Sequence, residues 1–334
     1  MVFMGEYLRG KTVLVTGGTG SIGKALVKQI LNFEPDSIRV LSRDEYSQYC
    51  FRRELKNNVK VRFLLGDIRD KERLRLAMDS VDYVFNAAAL KQVPSCEFNP
   101  FEAVKTNVIG TQNIIEVAME TGVEKVILVS TDKVVNPINT MGTTKLLAEK
   151  LMRSANFYKG PRETVFSCVR FGNVLGTRGS VIPLFLSQLK NSNPITLTHK
   201  KMTRFVMTLP KAVHLVLQAG ELAKDGETFI LRMPAIRILD LVEVLNGVYA
   251  RRHDRKPVPI AETGIREGEK MHEDLLFSHE VNYASLNEEM IVVGFNRLGT
   301  EISQSLYRSE YAPYLDQSQI FDLLQEIESD LEIL

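Results

Sequence analysis

The sequence predicts an α/β fold, a doubly wound parallel sheet followed by a smaller α/β part that closes over it. Three observations carry this expectation. Short β-branched, apolar runs alternate with segments of helical spacing through Arg170, the pattern of parallel strands covered by helices on both faces. A glycine-rich turn directly follows the first apolar run. Beyond Gly172 the rhythm breaks, and Pro183, Pro194, Pro210, Pro234, Pro257 and Pro259 interrupt shorter elements.

Along the chain, Thr12–Thr16, Ile38–Ser42, Val61–Leu65, Tyr83–Asn86, Val126–Ser130 and Phe166–Arg170 read as strands. Their length and apolar content suit strands buried on both faces. Between them, Ile22–Leu31, Lys71–Met78, Phe101–Thr121 and Gly142–Ser154 carry apolar residues at helical spacing. Tyr249–Pro259 is charged and proline-containing, and the tail from Asn282 keeps one clear amphipathic helix, Ser318–Leu334. The expected division is a large first domain over 1–175, with 205–235 returning to it. A second domain comprises 176–204 and 236–334 with the C-terminal tail.

The composition excludes several function classes. The chain has 334 residues, 44% of them hydrophobic, and 42 Lys and Arg against 41 Asp and Glu, a balance of +1. Such a balance supplies no bulk field for nucleic acid or an anionic membrane. No apolar run approaches the roughly 18 residues of a membrane span, and the first residues lack a leader-like pattern. Cys50, Cys96 and Cys168 have no close spacing, and the five histidines form no metal-binding pair. A soluble cytoplasmic protein without a structural metal is expected.

Lys11-Thr-Val-Leu-Val-Thr-Gly-Gly-Thr-Gly-Ser-Ile-Gly23 sets a buried strand before a glycine turn and a helix. Gly17, Gly20 and Gly23 permit the tight turn, backbone approach to a pyrophosphate and close helix packing. Thr19, Ser21 and Ile22 complete the anion cradle at the helix N-terminus. This is a Rossmann-type dinucleotide site. Ser42 and Arg43 end the second strand and favour the 2′-phosphate of NADP, while the adjacent Asp44 leaves NAD open. Asp67 and Ile68 close the third strand, where a carboxylate suits the adenine amino group. In Asn86-Ala-Ala-Ala-Leu-Lys91, the small Ala87, Ala88 and Ala89 let the backbone approach the cofactor, with Lys91 beside them.

The glycine turn, the Asn-Ala-Ala-Ala stretch and a later helix ending in Lys145 resemble the extended short-chain dehydrogenase/reductases over nearly the whole chain. One departure stands out. That superfamily pairs a Ser or Thr after the fifth strand with a Tyr-x-x-x-Lys helix, and here Met141 occupies the Tyr position. A thioether exchanges no proton. Four stretches together are similar to the UDP-N-acetylglucosamine 4,6-dehydratases, some branches of which carry this Met. They are Ser130-Thr-Asp-Lys133, Asn136-Pro-Ile-Asn-Thr-Met-Gly-Thr-Thr-Lys145, Arg170-Phe-Gly-Asn-Val-Leu-Gly176 and Met202-Thr-Arg-Phe205.

The resemblance implies oxidation at C4 of the sugar, loss of water across C5 and C6, and hydride return to C6, with the cofactor recycled. Asp132 is then the candidate acid for water loss and Lys133 the candidate base at C5. Burial and the nearby charges of Lys145 and Lys91 are expected to lower the Lys133 pKa toward that role. Thr131 is expected near the 4-hydroxyl, Lys145 on the nicotinamide ribose, and Met141 as an apolar filler. Asp132, then Lys145, are the candidates for the 4-hydroxyl proton. Inversion at C5 with the same residues, and a non-catalytic NADP sensor, stay open.

On the substrate side the resemblance points to Lys91, Asn173, Ser180, Val181 and Pro183 near the sugar and pyrophosphate, and to Thr196 near uracil. Arg204, Arg266 and Glu269 are assigned to the phosphates and ribose. A pocket rich in Lys91, Lys133, Lys145, Arg170, Arg204 and Arg266 is expected to receive the anionic UDP-N-acetylglucosamine. His272 reads as structural. The helices Phe101–Thr121 and Gly142–Ser154 imply a homo-oligomer, a dimer or higher.

Overall fold

The computed structural model describes residues 5–296 and 302–327. All six expected strands form, each within a residue of its expected bounds: β1 (Thr12–Thr16), β2 (Ser37–Ser42), β3 (Val61–Leu65), β4 (Tyr83–Asn86), β5 (Lys125–Val129) and β6 (Val165–Arg170). They pair in parallel, in the order β3-β2-β1-β4-β5-β6. Alternation along a strand feeds two cores. Val13 and Val15 of β1 pack with Leu26 and Ile30 of α1 (Ser21–Leu31). Leu14 faces the other way, into a core with Leu74 of α3 (Lys71–Met78), Ile114 of α6 (Gly110–Thr121) and Met152 of α7 (Thr140–Tyr158). Helices therefore cover both faces, which is what continuous apolar strands require.

Among the first six strands, two helices appear that the periodicity does not predict, α2 (Glu45–Glu54) and α4 (Val93–Phe98). The helix expected over Phe101–Thr121 is broken: α5 (Pro100–Ala103) runs into a π-helical turn at Val104–Ile109 before α6. That turn presents Asn107, whose amide clamps Leu90 through both its backbone groups at 2.9 and 3.1 Å and donates to Thr144 at 3.0 Å. The wall formed by Ala87–Leu90 is thereby fixed against α7.

β7 (Asn173–Val174), β9 (Thr203–Met207) and β11 (Ala235–Arg237) form a three-stranded sheet. β8 (Ile195–Leu197) pairs with β12 (Ile260–Glu262), and both lie by α8 (Val181–Lys190) and α10 (Ile238–Arg252). Within the stretch 205–235, α9 (Leu209–Leu222) and β10 (Thr228–Leu231) return to the large sheet, whereas β9 does not. The tail returns as well. β13 (Ala284–Leu286) and β14 (Met290–Val293) extend the large sheet antiparallel beyond β10, making nine strands. The C-terminal helix is α11 (Gln317–Glu326), opened by an Asp316–Gln319 capping box. The rest of its expected span, 328–334, lies outside the described residues.

Candidate active site

The strand order reverses between β1 and β4, and in such sheets ligands bind at the carboxyl ends beside that switch point. A cavity of about 730 Å³ opens there. Every residue assigned above to the dinucleotide lines it. Gly17 sits at φ +62°, and a Cβ on it would lie 2.7 Å from Ala87 O and Ala88 N, so only glycine lets the turn nest against the β4 end. Gly20 caps α1 without a side-chain hydrogen bond, leaving the first-turn N–H groups to an anion. A pyrophosphate fits this cradle.

At the adenosine end Asp44 caps α2, accepting from Ser47 N at 3.0 Å and from its hydroxyl at 2.6 Å. Its carboxylate is therefore already engaged. Arg43 is half-exposed at the cavity edge, with one guanidinium nitrogen 3.4 Å from Asp67. Lys145, on α7, donates to Val129 O at 2.6 Å, and burial pulls its pKa down to about 8 against the opposing charge of Glu149. Met141, one turn earlier, packs with Cys96, Ala103, Leu90 and Val93 and closes the wall with an apolar surface.

The loop after β5 delivers the charged group. Asp132 is wholly buried and does not reach the cavity wall. One of its oxygens accepts from Thr131 at 2.8 Å and from Lys133 Nζ at 2.9 Å, and the other has no partner. Thr131, Lys133 and Met141 do line the wall. Lys133 also donates to Asn173 at 3.2 Å and lies 3.8 Å from Glu273. Its electrostatics reverse the expectation. Burial lowers its pKa, but the carboxylates of Asp132 and Glu273 outweigh burial and Arg204, and the net shift is upward. Lys133 is an ammonium here, held so by carboxylates that chain order does not reveal.

Four substrate-side assignments also change. Pro183 lies inside α8 and Thr196 on β8, tied to Gln188 at 2.8 Å; neither lines the cavity, which only Ser180 and Val181 of this region reach. Arg170 is buried and absent from the wall, because Glu149 and Glu280 hold it as a structural ion triad. Arg204 does line the cavity, yet its guanidinium is spent on the backbone carbonyls of Thr203, Lys270 and Met271 at 2.7–3.2 Å. Lys91, Asn173, Arg266 and Glu269 sit on the wall. His272 bonds Thr203 at 2.8 Å, as a structural histidine does.

Residues 13–294 match the model of a family described as polysaccharide biosynthesis protein. The chain belongs to that family. Its relatives include the "uncharacterized membrane protein MJ1061" of Methanocaldococcus jannaschii, 52% identical over 96% of this chain and 97% of that one. UDP-glucose 4-epimerase of Rickettsia conorii is 44% identical over 81% of this chain and 79% of its own. Capsular polysaccharide biosynthesis protein CapD of Staphylococcus aureus is 41% identical over 87% of this chain, which spans about half (49%) of that relative's length. Among solved structures, Pen from Bacillus thuringiensis superposes with a TM-score of 0.91 at 42% identity, covering 96% and 98% of the two chains. Among the described residues no helix is long and apolar enough to cross a membrane, whatever the archaeal relative is called.

Within this polysaccharide-biosynthesis fold, two residues of the site escape sequence reasoning. Arg178, between Thr177 and Gly179, donates to Thr19 O at 2.7 Å while its backbone N–H donates to Ser21 at 3.2 Å. It latches the substrate-side loop onto the glycine turn. A lone Arg beside a glycine was its only signal. Glu273 lines the cavity almost fully buried, and one of its oxygens has no hydrogen-bond partner. Its place one residue after His272 gave no sign of burial.

Proposed function

We propose that this protein is a nucleotide-sugar 4,6-dehydratase that converts UDP-N-acetylglucosamine to a UDP-4-keto-6-deoxy-N-acetylhexosamine, for deoxyamino-sugar synthesis toward a surface glycan. The observation that carries the reading is the Asp132–Lys133–Asn173 group beside a dinucleotide cradle, with Met141 where a proton-exchanging Tyr is expected. The family's description, polysaccharide biosynthesis, agrees with it. Bound NADP supplies the hydride acceptor for C4 and the donor for C6. NADP over NAD is supported by the half-exposed Arg43 and by the commitment of Asp44 to capping.

On this reading the chain's own residues handle protons. Lys133, in the wall, takes the C5 proton. Asp132 lies behind it and exchanges protons through Thr131, which is hydrogen-bonded to it and faces the cavity. Asn173 holds the lysine in place. The rickettsial relative's name favours a second reading, 4-epimerisation. A 4-epimerase returns the hydride to C4 and a 4,6-dehydratase returns it to C6, and both release the 4-hydroxyl proton, so Met141 does not separate them. Lys133 in the wall favours dehydration, since only that reaction removes the C5 proton. Dehydration with inversion at C5 uses the same residues. A cytoplasmic location fits the free thiols Cys50, Cys96 and Cys168. Homo-oligomerisation is supported by the exposed Phe101, Ile109 and Leu147 on the expected pairing helices.

The test is incubation with UDP-N-acetylglucosamine in deuterated water, followed by NMR of the sugar. The expected result is a 4-keto-6-deoxy sugar carrying deuterium at C5, whose couplings tell retention from inversion. A 4-epimer without 6-deoxy product refutes the dehydratase reading. Lys133→Ala should keep its cofactor and form no product.

A further inference from the structure

The reaction proposed above needs Lys133 as a free amine, and the structure makes it an ammonium. Its electrostatic partners contain the resolution. Lys133 Nζ lies between Asp132, at 2.9 Å, and Glu273 Oε1, at 3.8 Å. The second contact is too long for a hydrogen bond, and closing it by about 0.8 Å makes one. Glu273 is 2% exposed, and Oε2 is without a hydrogen-bond partner. Its backbone is anchored from the 302–316 segment, with N–H donating to the Ser309 hydroxyl at 2.8 Å and C=O accepting from Ser309 N at 2.9 Å. The charges facing this carboxyl are Asp132 and Lys133 from the loop after β5, Arg204 of β9 at 3.9 Å, and Lys270 of its own segment at 3.8 Å. Glu269 faces Arg204 from the other side at 3.6 Å.

We propose that Glu273 is the proton acceptor for Lys133. As the substrate fills the cavity, one proton passes from Lys133 Nζ to Glu273 and leaves the amine that C5 deprotonation requires. The inference rests on the dehydratase reading and adds a residue to it. In the transfer an N–H bond of Lys133 breaks and an O–H bond of Glu273 forms, turning ammonium and carboxylate into amine and carboxylic acid. Lys133 then takes the C5 proton, and the C–H electron pair moves toward the C4 ketone. The 6-hydroxyl leaves as water with the proton that Asp132 received, through Thr131, from the 4-hydroxyl when C4 was oxidised. After hydride reaches C6, Lys133 returns its proton to C5. Glu273 restores the ammonium once the product leaves.

Two physical points favour the transfer. A substrate that displaces water raises the cost of both charges, and a neutral pair carries none. The carboxyl is also prepared to accept. Burial, reinforced by Asp132 and opposed by Lys133, Arg204 and Lys270, pushes Glu273 above the ordinary glutamate range. Glu273 acts through Lys133, so it is a positioning residue and not a catalytic one.

The test compares wild type with Glu273→Gln and Glu273→Asp, loaded with cofactor, on UDP-N-acetylglucosamine in deuterated water across neutral and alkaline pH. Glu273→Gln has no proton acceptor. It should dehydrate about a hundredfold more slowly near neutrality, accumulate reduced nicotinamide absorbance, and recover as pH rises and Lys133 loses its proton to solvent. Glu273→Asp should keep the wild-type shape of the profile at a lower rate. If Glu273 were only a neighbouring negative charge, its removal would lower the Lys133 pKa and speed the neutral reaction. A Gln variant that is as fast as wild type, or that follows the wild-type pH profile, overturns the proposal. Loss of activity in both variants at every pH also overturns it, since that marks a structural role. Absence of product with wild type sinks the dehydratase reading itself, a separate outcome.

Discussion

Replacing Arg170 by Met removes the cation at the centre of a buried ion triad. Arg170 is 1% exposed and makes two hydrogen bonds to Glu149 and two to Glu280, at 2.7–3.3 Å, plus one to Leu275 O at 2.8 Å. Both glutamates are buried. Methionine fills similar space and leaves Glu149 without its cation and Glu280 with only Arg153, at 3.9 Å, and the Phe277 N–H, which costs about 3–5 kcal/mol. For a chain of 334 residues that lowers the melting temperature by roughly 4–7 °C. The pH dependence has a definite sign. Burial raises the Glu280 pKa, but Arg170 outweighs it and holds the folded value below the ordinary 4.5. The pair therefore stabilises wild type above that value, and the contribution fades as pH falls through the folded pKa. In Arg170→Met the two carboxylates relax on protonation, so the gap to wild type is widest at neutral pH and narrows toward acid. Thermal melts by circular dichroism at neutral and acidic pH measure both. Arg170→Met/Glu149→Gln/Glu280→Gln, which neutralises the cluster, should recover most of the loss. A single variant melting within about 2 °C of wild type refutes the reasoning.

Three further outcomes follow from the site. Arg43→Ala should reduce the preference for NADP over NAD by about 10- to 150-fold, the worth of one hydrogen bond to a charged group at about 1.5–3 kcal/mol; competitive binding of the two cofactors measures it, and an unchanged ratio removes Arg43 from the 2′-phosphate. Arg178→Ala cuts the latch to Thr19 O, and cofactor loss on dialysis should quicken about tenfold. Lys145, pulled down by burial to about 8, is cationic below that pH and neutral above it. Cofactor retention should therefore weaken as pH rises through about 8, and Lys145→Met, equally retentive on both sides, should lack that step.

The parts of the fold that were legible are those whose burial is complete. β1, β2, β4, β5 and β6 lie inside the large sheet and are almost wholly buried, so their apolar runs stand out and their bounds agree within a residue. β3, at the edge and half-buried, was legible from its apolar residues and bounding turns. α2 escaped because Gln48 and Phe51 alone are buried along it, too few for a periodic signal. The π-helical turn at Val104–Ile109 escaped because one inserted residue shifts the apolar face without erasing it. β13 and β14 pair through backbone groups contributed by distant segments, which local pattern does not encode. At the site, glycine spacing carried the cofactor cradle, since the turn's geometry demands glycine at Gly17. Charge was the failure. Arg170 and Arg204 read as free cations for a substrate and Lys133 as a base with a lowered pKa, and each has carboxylates or carbonyls from distant segments around it.

That failure bears on mechanism. With Met141 sealing the α7 wall, the group proposed to handle the C5 proton comes from two bodies. Asp132 and Lys133 follow β5 of the large sheet, whereas Glu273 sits by β9 of the small one, where Thr203 N donates to Met271 O at 3.1 Å. The 3.8 Å between Lys133 and Glu273 is thus a distance between the two sheets. Arg170 of β6 bonds Glu149 on α7, Leu275 O and Glu280, and so ties the segment that carries Glu273 to the large sheet. Loosening that grip should disturb proton transfer before it disturbs cofactor binding, which depends on β1, α1 and β4. Arg170→Met, assayed well below its melting temperature, is therefore expected to retain cofactor while its dehydration rate falls near neutrality and recovers at alkaline pH. Loss of cofactor in step with activity would show instead that the two sheets move as one body.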